Sequence, residues 1–248
     1  MKDAVWKPLL TELDRWKAAG ITARLWLRDD DAVEPSPALD RFAELTSEFR
    51  IPAVLAIIPA KTGRPLADWL GGTPQLTPAI HGWSHANHAP AGEKKQELGL
   101  HRGREPVLTE LGKALLTMKA LHGDRLLAML VPPWNRIDAS LIPDLRPLGY
   151  EFLSTFGEPE HEHPGLPVIN SQIDLIDFRG TRRCHDHSLL ARIIADELAR
   201  SRLGRRSAVG ILSHHLIDSE RELQFLGDLF AVTGSHPAYR WANAVDLA

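Results

Sequence analysis

The stretch Ala23–Ile58, ARLWLRDDDAVEPSPALDRFAELTSEFRIPAVLAII, holds two strand-like apolar runs with a helical pattern between them. Ala23–Arg28 is a short strand-like run, and it ends in Asp29-Asp30-Asp31. Ser36-Pro37 has the form of an N-cap followed by proline at the first helical position. Leu39, Phe42, Leu45 and Phe49 then follow at helical spacing. Ala53–Ile58 is unbroken apolar sequence, as in a strand buried on both faces. Strand, helix and strand in this order predict parallel strands joined by a crossover helix.

The same alternation extends in both directions. Upstream, Val5–Ala19 carries Leu9, Leu13 and Trp16 at helical spacing, and Gly20 stands where a C′ glycine belongs. Downstream, Ala79–Trp83 is a third strand, and Leu108, Leu111, Leu115 and Met118 mark a long helix ended by Gly123. Ala128–Val131 is a strand stopped by Pro132 and Pro133, and Ser140–Leu148 is a short helix closed by Gly149. Phe152–Thr155 and Val168–Ile176 read as strands, Leu190, Ile194 and Leu198 as a helix, and Val209–Leu212 as a buried strand. Ser219 with Glu222 has the form of a capping box before a last helix through Leu223, Leu226 and Phe230. About seven strand–helix units in one chain predict a closed or nearly closed (β/α) barrel, with an open doubly wound sheet as the alternative. There is no internal repeat and no low-complexity linker, so 1–248 is read as a single domain. Either architecture puts the chemistry at the C-terminal ends of the strands.

Composition narrows the function. A 248-residue domain buries roughly three quarters of its unfolded surface, so no staples are needed. The apolar share is 44% and the charged share 25%, as in ordinary soluble enzymes. A net charge of −3 offers no broad basic face, which disfavours nucleic acid as partner. The one cysteine, Cys184, excludes an internal disulfide and a cysteine-based zinc site. Met1-Lys2-Asp3, followed by Trp6, Lys7 and Pro8, leads into no signal-like apolar region, and no run approaches the length of a membrane span. A cytoplasmic protein with no membrane partner is expected, and the oligomeric state is left open.

Polar clusters follow four of the buried runs. Asp29–Asp31 ends the first strand. His81-Gly82-Trp83-Ser84-His85, then Asn87 and His88, follow the strand at Ala79. Pro132-Pro133-Trp134-Asn135-Arg136 follow the strand at Ala128, and His214-His215 follow the strand at Val209. Carboxylates and imidazoles brought to one rim have the composition of a divalent metal site. Each cluster also has a plainer reading. The acidic run also reads as a solvated turn, and the prolines as a rigid turn that buries an indole. His214 and His215 are also ordinary strand-end histidines, and His88 is a rim residue. The i, i+4 spacing of His81 and His85 is what one side of a helical turn would present.

In the order and type of these motifs, from about Ala23 to Leu216, the chain resembles the polysaccharide deacetylase family (NodB homology, carbohydrate esterase family 4). That family carries an Asp-Asp pair, a His-[Ser/Thr]-x-x-His motif, an Arg-Pro-Pro-[Tyr/Trp] motif and a late Leu-x-His. Asp29–Asp31, His81–His85, Val131-Pro132-Pro133-Trp134 and Leu212-Ser213-His214 resemble these in turn. The resemblance implies a distorted (β/α)7 barrel and one divalent ion, zinc or else cobalt, nickel or manganese. It also implies hydrolysis of an N-acetyl or O-acetyl group on a carbohydrate. Carried over, the ligands are His81, His85 and an Asp of the acidic run, the preceding Asp is the general base, and His214 is the general acid. Two registers stand open: Asp30 as base with Asp31 as ligand, or Asp29 as base with Asp30 as ligand. The first is preferred, because Arg28 and Asp30 then share a strand face and Arg28 would keep the base ionised.

The chain departs from the family pattern at several points. The glycine after the Asp pair is missing, and Val131 replaces the arginine of the third motif, whose role passes to Arg28 or Arg136. Gly82 replaces the hydroxyl residue of the second motif, and Asp174–Phe178 is the nearest match to an Asp-x-x-Asp-Trp motif. Trp83, Pro133, Trp134, Asn135, Arg136 and His215 are the expected substrate contacts, with Trp26 read as core. Arg182, Arg183 and His185–His187 read as a solvated polar loop. The rival readings are an amidohydrolase acting on a small cyclic amide and a sugar-binding relative without chemistry.

Overall fold

The computed structural model describes residues 2–158, 163–205 and 208–247. In chain order its main elements are α1 (Lys2–Ala18), β1 (Ala23–Ala32), α2 (Pro37–Glu48), β2 (Ala53–Ile57), α3 (Arg64–Gly71), β3 (Leu76–His81), α4 (Arg104–His122) and β4 (Met129–Val131). They continue with α5 (Ile142–Leu148), β5 (Phe152–Leu153), β6 (Ile173–Asp174), α6 (His187–Arg200), β7 (Val209–Ser213), α7 (Ser219–Gly234) and β8 (Tyr239–Trp241). By internal contacts the chain divides into two compact units. One contains residues up to Asp29, Ser36–Ala53 and Ser171–Leu247, and the other contains Asp30–Pro35 and Val54–Asn170. No described helix is long and apolar enough to cross a membrane.

In the first unit β1 pairs in parallel with β7, from Leu25↔Val209 to Asp29↔Ser213. β7 pairs in parallel with β6 through Ile211↔Ile173, and β8 adds to β1 through Ala23↔Tyr239. Trp6, Leu9, Leu13 and Trp16 form the buried stripe of α1, and Trp6 stacks on Phe225 with ring centroids 5.4 Å apart. The start of α2 is as expected: Ser36 Oγ accepts from the Leu39 amide at 3.2 Å, with proline at the first position. The capping box expected at Ser219 and Glu222 does not form. Asp218 is the N-cap residue of α7, and the Glu222 carboxylate accepts instead from the His214 amide at 2.9 Å. Glu222 is drawn inward because it is buried and that buried strand-end amide needs an acceptor.

In the second unit the end of β1 meets β2 through Ile58 N–H to Ala32 C=O at 3.0 Å. β3 pairs in parallel with β4 (His81↔Val131), and β4 with β5 (Leu130↔Leu153). Every residue of β2 is buried, as its unbroken apolar sequence requires. The full strand path is β5-β4-β3-β2-β1-β7-β6, with β3–β4, β4–β5, β1–β7 and β7–β6 paired in parallel. Strands and helices alternate as the sequence predicts. Two elements lie outside the sequence pattern, the short α3 and the edge strand β8. The run Val168–Ile176 contributes only Ile173–Asp174 as strand, and β3 stops at His81, two residues before the expected end.

Candidate metal centre

His81 is the last residue of β3 and is buried. Its Nδ1 lies 2.9 Å from the Val131 carbonyl oxygen. A carbonyl only accepts, so Nδ1 carries the hydrogen and Nε2 keeps its lone pair. Nε2 faces Asp31 Oδ1 at 3.1 Å, and His85 Nε2 lies 3.3 Å from the same oxygen. Burial, and then the neighbouring His81, hold the His85 pKa below its ordinary value of 6.5, so this ring is neutral at pH 7. The ligand atoms of Asp31, His81 and His85 all lie within 4.8 Å of one another. An imidazole lone pair and a carboxylate oxygen at such a distance repel unless positive charge stands between them. Two imidazole nitrogens and one carboxylate oxygen form the donor set of a divalent transition metal with open positions, so these residues fit such an ion.

The loop between the two histidines is not the helical turn that their spacing suggested. Gly82 has φ +58° and His85 φ +56°, both left-handed. The reason is Glu97, which is fully buried against this loop. Its carboxylate accepts from the amides of Trp83 (3.1 Å), Ser84 (2.7 Å) and Ala86 (3.4 Å) and from Ser84 Oγ (2.9 Å). Those amides would point along the axis in a helix; here they turn onto one carboxylate. Sequence reasoning missed Glu97, because it stands in an aperiodic polar stretch with no local signal of its role. Asp31 also sits at positive φ (+74°), so two of the three donors hold backbone conformations that side chains rarely adopt.

Several other expected residues lie in the same unit. The Trp134 ring packs 4.4 Å from that of His85, and the Lys95 ammonium lies 5.9 Å from the indole centroid. Lys113 Nζ stands 4.6 Å over Trp83. Pro133 is buried, while Asn135 and Arg136 line a cavity of about 320 Å³ shared with Gln96, Thr155 and His163. Arg136 Nη1 donates to the Lys95 carbonyl at 2.7 Å, which ties the guanidinium to that loop. Asp30 is buried and lies outside the donor group. His88 also lies outside it, with its backbone amide on the Gln96 carbonyl. Trp26 is core, at 1% exposure.

The first unit holds a second polar cluster. Asp29 is fully buried and accepts from Ser213 Oγ (2.7 Å), the His215 amide (3.0 Å) and His215 Nδ1 (2.5 Å). His215 is therefore not a rim residue open to substrate: it is 1% exposed and held by a buried carboxylate. The His214 ring meets Phe178 edge-on, centroids 4.8 Å apart, and its Nδ1 is 3.8 Å from Asp174 Oδ1. Asp174 and Phe178 thus approach His214, whereas Asp177 accepts from the Gly180 and Thr181 amides of its own turn. Burial, and then Asp29, push the Glu222 carboxyl well above its ordinary range. Arg28 is fully buried. Of the polar loop, Asp186 caps α6, His187 Nε2 reaches the Arg221 carbonyl at 3.2 Å, and Arg183 lies 3.5 Å from Asp218.

No protein-family model matches the sequence, and no curated protein matches it. Solved structures do. A Mycobacterium smegmatis protein provisionally described as a polysaccharide deacetylase superposes with a TM-score of 0.70 at 15% identity, over 92% of this chain and 91% of that one. A Streptococcus mutans CE4 esterase gives 0.63 at 15% identity, over 90% and 86%. A Clostridium thermocellum family 4 acetyl xylan esterase, solved with a cobalt ion, gives 0.57 at 13% identity, over 90% and 89%. The chain therefore has the (β/α) fold of these deacetylases and esterases.

Proposed function

We propose that residues 1–248 form one catalytic domain, a divergent polysaccharide deacetylase that removes N-acetyl or O-acetyl groups from a carbohydrate with one divalent cation. The observation that carries this reading is the approach of Asp31, near the end of β1, to His81 at the end of β3 and to His85 in the loop that follows. The fold shared with deacetylases and esterases supports the substrate class.

Asp31 Oδ1, His81 Nε2 and His85 Nε2 would hold the ion, zinc or else cobalt, nickel or manganese. When bound, such an ion supplies Lewis-acid activation of water and of the acyl oxygen. Asp30, next to the ligand in the chain, takes the proton from the attacking water. Asp30 is buried, at 3% exposure, beside the ligand. His214 delivers a proton to the leaving nitrogen, because an amide anion is too poor a leaving group to depart alone. Trp83 and Trp134 offer aromatic faces to a sugar ring. Asn135 and Arg136 offer hydrogen-bond donors at the rim of the cavity.

The test is metal analysis of the purified protein together with acetate release from a panel of N- and O-acetylated sugars. The expected result is one bound divalent ion and release that a chelator abolishes. Bound metal without release from any acylated substrate would leave a binding protein in place of an enzyme. Absence of metal binding would remove the reading.

A further inference from the structure

The geometry points to Glu97 as a positioning residue of the cation site, one that aims His85 through the Trp83–Ala86 amides. This rests on the metal-site reading above. Glu97 Oε1 takes the Ser84 amide, the Ser84 hydroxyl and the Ala86 amide, and Oε2 takes the Trp83 amide. Four donors on one fully buried carboxylate fix the path of the loop between the two histidines. That path ends at His85 in the left-handed region, so its ring direction depends on the clamp.

The site is built around this carboxylate. A Cβ on residue 82 would stand 2.1 Å from Glu97 Oε2, so the glycine is the space into which Glu97 reaches.

A merely structural clamp and a positioning residue differ in what they move. The experiment titrates metal-free wild type, Glu97→Gln, Glu97→Asp and Ser84→Ala with Co2+, following its visible absorption, and records thermal unfolding of each metal-free protein. Glu97→Gln is expected to bind Co2+ about 10- to 100-fold more weakly, the range seen when groups behind a metal ligand are removed. Its absorption bands should also change intensity, and Glu97→Asp, which keeps the charge, should recover part of the affinity. If Glu97→Gln does not fold, Ser84→Ala carries the test with a weakening of a few-fold, since it removes one of the four donors. Unchanged affinity and spectrum in the folded variant, with only a lower melting temperature, would overturn the assignment. Wild type that binds no Co2+ would instead overturn the functional reading itself.

Discussion

Gly82 and Glu97 share one volume: a Cβ on Gly82 would stand 2.1 Å from Glu97 Oε2 and 2.6 Å from Pro133 Cδ. The family that this loop resembles carries serine or threonine at that place, so restoring the familiar residue is predicted to do harm. Gly82→Ser has to adopt φ near +58° and displace a hydrogen-bonded carboxylate. A destabilisation of about 2 kcal/mol or more is expected from backbone strain and lost hydrogen bonds together. In a Glu97→Ala background the same change should cost less, a coupling of at least ~0.5 kcal/mol in a double-mutant cycle read by chemical denaturation. A Gly82→Ser protein as stable as wild type would show that the loop has room it does not display here.

Adjacent aspartates should separate into two phenotypes. Asp31→Asn, His81→Ala or His85→Ala removes a donor and should abolish stabilisation by added Zn2+. In wild type that stabilisation is about 2.7 kcal/mol at a hundredfold excess over Kd. Asp30→Asn should keep the Zn2+-dependent shift and lose about 10²- to 10⁴-fold in turnover, as loss of a general base does. Melting curves with and without Zn2+, beside acetate release, test both. Full turnover in Asp30→Asn removes its assignment as base.

His214 and His215 are neighbours with different burdens. His215 Nδ1 is held 2.5 Å from the buried Asp29 carboxylate. His215→Ala leaves that charge without its ring partner and should cost about 3–5 kcal/mol of folding free energy. Among the described residues His214 Nδ1 has no hydrogen-bond partner, and the ring leans on Phe178. His214→Ala should therefore cost far less stability while lowering kcat about 10²- to 10⁴-fold. Urea denaturation and kcat of the two variants decide. Equal stability losses, or a His214→Ala enzyme with full kcat, would count against the division.

Glu222 gives a pH signature with a definite sign. Burial raises its carboxyl above the ordinary value of 4.5, so the folded chain binds this proton more tightly than the unfolded chain. Stability contributed by the protonated form is complete below pH 4.5 and falls as pH rises toward the raised folded pKa. Glu222→Gln keeps an oxygen for the His214 amide and does not titrate. Its stability relative to wild type should accordingly increase with pH across that window, measured by denaturant unfolding at a series of pH values. A constant difference would mean that the folded and unfolded chains bind this proton equally.

The limits of local reading show at particular residues. Gly20, Ser36 and Gly149 end or begin helices as their types predict, because capping depends on the nearest few residues. The capping box at Ser219 had the right residue types and did not form, because the buried His214 amide needed the Glu222 carboxylate. The His81–His85 spacing had the right period for a helical turn and became an irregular loop, because Glu97 offered the amides a better acceptor.

Apolar periodicity and punctuation by themselves determined the alternation of strands and helices, and with it which polar residues stand at strand ends. Those are properties of consecutive residues, set by backbone sterics and by the need to bury one face. Tertiary structure alone decided which carboxylate of the Asp29–Asp31 run joins the histidines. It also decided that Asp29 belongs to His215 and that Glu97 orders the loop of His85. The partner of an ionisable group is the one brought within about 3 Å through space across strands and loops, and chain spacing carries no record of that distance.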